Sequence, residues 1–88
     1  MDEIIDQIEE YAGLLLTVDE IALLLDLDAA ELRREIRHGK SARAKAYQKG
    51  KLKTIVEVRR QTVLFAKKGS PAAENLVNHY MTKQQQNE

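Results

Sequence analysis

An all-α domain of five helices is the fold class this sequence predicts, and three observations carry the prediction. Apolar residues recur at spacings of three and four through most of the 88 residues. Thr17, Asp28 and Ser70 each stand just ahead of an apolar-periodic segment, where a helix start needs a side-chain acceptor. The single proline, Pro71, falls at a first helical position, where its missing N–H costs nothing.

The first helix is expected over residues 2–12. Ile4, Ile5, Ile8, Tyr11, Ala12, Leu15 and Leu16 recur at helical spacing, with Asp2, Glu3, Asp6, Glu9 and Glu10 on the other side. Gly13 reads as a break. The second helix opens at Thr17-Val18-Asp19-Glu20, a capping box in which Thr17 and Glu20 satisfy each other's free backbone donors. Val18, Ile21, Ala22 and Leu25 then form one stripe. The third opens at Asp28, buries Ala29, Leu32 and Ile36, and ends at Gly39, a residue suited to a left-handed cap.

The fourth helix is expected from Ser41 to Lys68, stopping at Gly69. Tyr47, Ile55, Val58 and Phe65 make one stripe, with Leu52, Val56 and Val63 beside it. A straight helix over 42–68 would be about 40 Å long. A compact chain of this size has a radius of gyration near 12 Å. A bend or break at Gly50 and return packing on the fifth helix resolve that mismatch; cover from another subunit is the alternative. The fifth helix begins at Ser70-Pro71 and offers Leu76, Val77 and Tyr80. Residues 1–83 are thus read as a single helical domain with a helix-turn-helix at 17–38. The polar residues 84–88 are read as a disordered tail.

Charge is distributed unevenly. Residues 1–31 hold ten acids and no Lys or Arg, whereas residues 32–68 hold thirteen bases and two acids. The formal net charge of zero therefore splits into −10 and +11 (13 − 2). Such a basic segment points to a polyanionic partner, nucleic acid foremost. With no Cys, disulfides and thiolate metal sites are excluded. The two histidines, His38 and His79, lack the further ligands a zinc site needs. Four aromatic residues, Tyr11, Tyr47, Phe65 and Tyr80, do not supply a stacking surface for single strands. An acidic N-terminus and the lack of a run of about 20 apolar residues point to a cytoplasmic protein without a membrane span. No nucleotide-binding motif or nucleophile–base pair suggests an enzyme, so no catalytic residues, cofactor, metal or small-molecule substrate are expected.

A helix-turn-helix needs a small residue at the crossing, an apolar inner face, one buried turn residue and two inward residues on its second helix. Ala22, then Ile21 and Leu25, then Leu27, then Leu32 and Ile36 meet those needs. The turn carries Asp26 where the motif usually has Gly. Asp tolerates the left-handed conformation better than most residues.

Three stretches extend the pattern: Thr17-Val18-Asp19-Glu20-Ile21-Ala22, Ala46-Tyr47-Gln48-Lys49-Gly50-Lys51, and Phe65-Ala66-Lys67-Lys68-Gly69-Ser70-Pro71-Ala72-Ala73. On these, Thr17 to Tyr80 resembles the small-terminase-like helix-turn-helix proteins of phages and mobile elements. The resemblance implies recognition of viral DNA for packaging, or reuse of the domain as a regulator, and an oligomeric state. The acidic first helix departs from that pattern.

With Leu32 and Ile36 inward, the outward face of the third helix is Ala30, Glu31, Arg34, Arg37 and His38. Arg34 is the expected base reader, because its guanidinium can bond guanine O6 and N7 together. Arg33, Arg37, Lys40, Arg43 and Lys45 are expected on phosphates, which position without specifying. His38 also suits a helix C-terminus as a favourable charge. The partners expected are double-stranded DNA and further copies of the chain. A competing reading is a protein-interaction or assembly subunit whose acidic end meets the basic middle of another copy.

Overall fold

A computed structural model describes residues 2–88. Among them it has five helices and no strand: α1 (Glu3–Gly13), α2 (Val18–Leu24), α3 (Ala29–His38), α4 (Ala42–Lys67) and α5 (Pro71–Gln86). No helix is long and apolar enough to cross a membrane.

Local chemistry sets the helix starts. Asp2, Thr17, Asp28 and Ser70 each accept a hydrogen bond from a backbone N–H in the first turn of the helix that follows. The box at α2 is complete: the Thr17 hydroxyl accepts from the Glu20 N–H at 3.1 Å, and the Glu20 carboxylate from the Thr17 N–H at 2.9 Å. Ser41 does the same for α4, accepting from the Ala44 N–H at 3.1 Å.

The helix ends share one device. Leu16, Leu27 and Ser70 each donate a backbone hydrogen bond to the carbonyl five residues back, at 3.2, 2.9 and 3.1 Å. That closure needs a left-handed residue just before the donor. The positions are filled by Leu15 (φ 66), Asp26 (φ 57) and Gly69 (φ 93); Gly39 (φ 74) ends α3. Asp26 is left-handed, as expected of the turn. Leu15 is the unexpected member, since it lies beyond α1 in a conformation that disfavours a branched side chain, and it is exposed.

The chain divides into two compact units, Met1–Ile55 and Val56–Glu88. In the first, Ile8, Ala12, Ile21, Ala22, Leu32 and Ala46 are buried together. Leu25, Leu27, Ala29, Ile36 and Tyr47 pack around them. In the second, the later part of α4 and α5 form a hairpin in which Ala73 is buried. There the Arg59 guanidinium lies 4.5 Å from the centre of the Tyr80 ring.

Two expectations need correction. Gly50 does not break α4, which is continuous from Ala42 to Lys67. The residue is buried because α1 crosses there: a Cβ at position 50 would collide with the Glu9 carbonyl oxygen and come within 3.1 Å of the Ala12 Cβ. Gly13 ends α1, as expected of it, and faces the same crossing, where a Cβ would lie 3.4 Å from the Gly50 carbonyl oxygen. The Thr54 hydroxyl donates to the Gly13 carbonyl and ties the two helices together. The chain past residue 83 also differs from the expected tail. α5 continues to Gln86, because glutamine is a good helix former and nothing interrupts it before Asn87.

Candidate nucleic-acid interface

α2 and α3 are joined by Leu25–Asp28, and the inward side chains fall where the sequence placed them. Ile21, Ala22 and Leu32 are buried, and Leu27 and Ile36 are half-buried against them. Burying Leu32 and Ile36 fixes the rotation of α3. Arg34, Arg37 and His38, at spacings of three and four, then share its opposite face and are exposed. Among the described residues none of the three forms an ion pair. Lys40 follows in the link to α4 and Lys45 lies in the first turns of that helix; both are exposed and unpaired in the same sense. The first turn of α4 has no acidic residue, so the positive end of its backbone dipole adds to these charges.

Two members of the expected set are engaged elsewhere. The Arg33 guanidinium is ion-paired and hydrogen-bonded to Asp19 on α2. Arg43 is half-buried, 3.8 Å from Glu35 of α3. Both pairs are partly solvated, so they orient the side chains more than they stabilise the fold. Arg33 therefore braces the two helices and is withdrawn from the outward face, while Arg34 and Arg37 are not.

Two acids close to α3 have structural duties, whereas the exposed Glu31 carboxylate in its first turn has no side-chain partner among the described residues. Asp28 caps the helix through the Glu31 N–H at 2.9 Å, and Asp19 holds Arg33. Among the described residues no carboxylate of the acidic first helix pairs with an α3 arginine. Its Glu9 instead bonds Lys53 of α4 at 2.8 Å. That hydrogen bond lowers the pKa of Glu9, helped by the charges of Lys53 and Lys49 and opposed by desolvation.

The arrangement offers a cationic strip on a short helix with a well-anchored back. No group of His, Cys, Asp or Glu among the described residues could hold a metal ion.

Sequence reasoning missed the solvent-facing leucines. Leu14, Leu15, Leu23 and Leu24 are all exposed, Leu23 at 80%. A signal was there: in the run Leu23-Leu24-Leu25 only one residue can share the inward phase of Ile21 and Ala22. Comparison with protein-family models, curated proteins and solved structures finds no match to this chain.

Proposed function

We infer that this chain is a helix-turn-helix protein that binds double-stranded DNA, with the outward face of α3 in the major groove. One observation carries the reading: Arg34 and Arg37 stand a turn apart on the solvent face of α3, free of acidic partners among the described residues, while Leu32 anchors the opposite face. An α-helix fits the major groove, and an arginine there can bond guanine O6 and N7 together. Arg34 is assigned that role. Arg37, Lys40 and Lys45 contact phosphates, with His38 at the end of the same face. Arg43 reaches a phosphate after letting go of Glu35, and Arg33 contributes little while Asp19 holds it. The resemblance of Thr17 to Tyr80 to small-terminase-like proteins extends the proposal to phage or mobile-element DNA, in packaging or regulation.

Binding of a labelled duplex, followed by fluorescence anisotropy across a salt series, tests the reading. Neutralising four or five phosphates gives a log–log slope of magnitude about 4. Arg34→Ala weakens binding to the preferred sequence by about 1–3 kcal/mol. A flat salt dependence, or an Arg34→Ala variant that binds as tightly as the parent, rejects the proposal.

A further inference from the structure

We propose that copies of this chain associate head to tail, the leucine-bearing face of α2 in one copy seating on an apolar, cation-rimmed groove of the α4–α5 hairpin in the next. This inference does not rest on DNA binding. It rests on two surfaces that complement each other and that one chain carries both of.

The first surface is the outward side of α2. With Val18, Ile21 and Ala22 turned to the core, Asp19, Glu20, Leu23 and Leu24 point to solvent. Leu14 and Leu15 are exposed in the segment that leads into the helix. Leu15 holds its position despite a left-handed backbone, a strain of the kind that concentrates at functional surfaces. No Lys or Arg occurs in residues 1–31, so the stretch that carries these leucines supplies only acids of its own, although Arg33 reaches Asp19 from α3.

The second surface is a groove of about 390 Å³ on the hairpin, lined by Arg59, Val63, Val77, Tyr80, Met81 and Lys83 among others. Val56 and Arg60 extend it along α4. No acid lines either part. The volume exceeds twice the roughly 150 Å³ that holds a benzene ring, so two leucine side chains fit. The hairpin alone covers little: Val56, Val63, Leu76 and Met81 are exposed, and Ala73 is the one residue of this unit that is buried among those described. Two-helix units of this size usually need oligomerisation or another staple.

Charge decides the occupant. Pairing the groove with its own copy would set Arg59, Arg60 and Lys83 against themselves, Arg60 being only loosely offset by its exposed contact with Glu57. The α2 face brings leucines for the apolar floor. The exposed Asp26 in the turn that follows, unpaired among the described residues, brings a carboxylate for the rim, Asp19 and Glu20 being held by Arg33 and by the capping box. A contact between two different faces leaves one of each unused, so the assembly closes into a ring or continues as an array.

The test uses two variants, one disabling each face, both at exposed positions: Leu23→Lys and Val63→Glu. Met81→Glu, also exposed, replaces the second should it lose helicity by circular dichroism. Sedimentation without DNA is expected to show that the parent assembles with concentration while each variant alone stays monomeric. Mixed 1:1, the variants form a species of two chains and nothing larger, because each supplies the face the other lacks. The proposal is overturned if the parent is monomeric throughout, if Leu23→Lys assembles like the parent, or if the mixture stays monomeric.

Discussion

Gly50 and Glu9 meet backbone to backbone: the Glu9 carbonyl oxygen occupies the place from which a side chain on residue 50 would grow. Substitution by Ala therefore has two opposing effects. Helix propensity gains about 1 kcal/mol. Overpacking against a rigid carbonyl costs about 3 kcal/mol. Gly50→Ala is expected to destabilise the chain by about 2 kcal/mol in urea denaturation; an unchanged or raised midpoint would contradict the close approach of α1 and α4.

Leu15 gives the opposite expectation. A left-handed conformation costs an L-residue about 1–2 kcal/mol, partly offset by the greater unfolded-state entropy of glycine. Leu15→Gly should raise thermal stability by roughly 0.5–1 kcal/mol. A lower Tm would mean that the side chain makes a stabilising contact its exposure does not suggest.

At the start of α2, Thr17→Ala removes one arm of the capping box and should cost about 1 kcal/mol. Asn, which also accepts from the first turn, should recover most of it. Equal losses for both substitutions would assign the effect to something other than capping.

The Glu9–Lys53 contact makes stability depend on pH. The Glu9 carboxyl titrates lower in the folded chain than in the unfolded one, so folding favours its ionised form. That contribution is fully present above the ordinary carboxylate range and fades as acid protonates the group. Denaturation of the parent and Glu9→Gln should differ at pH 7 and converge in acid, at a pH below the usual carboxylate value. A gap that stays constant, or widens toward acid, would contradict a folded state that prefers the Glu9 carboxylate.

Asp19→Asn releases Arg33 and removes a negative charge beside α3, the helix proposed to enter the major groove. If Arg33 then gains a phosphate, duplex binding tightens and the salt slope steepens by about 0.9. Weaker binding in this variant would show that the ion pair sets the orientation of α3 on DNA.

The boundaries legible in the sequence were those fixed by neighbouring residues. Thr17 with Glu20, Asp28, and Ser70 with Pro71 declare helix starts, and Gly39 and Gly69 declare ends, because each interaction spans five residues or fewer. The rotation of α3 was legible for a similar reason, since Leu32 and Ile36 leave Arg34 and Arg37 nowhere to point but outward. Gly50 was not legible. A glycine within a helical pattern looks the same locally whether it kinks the helix or admits a neighbour, and the neighbour in this fold belongs to α1. Arg33 escaped for a related reason: its periodicity matches that of a surface cation, and only the packing of α2 on α3 brings Asp19 to it.

The α1–α4 crossing also bears on how this protein can drift over generations. A codon change at position 50 to anything but glycine sets a side chain against the main chain of α1, so descendants that keep that helix lose stability with the change. A lineage that sheds the acidic first helix is released from that cost and free to fill the gap.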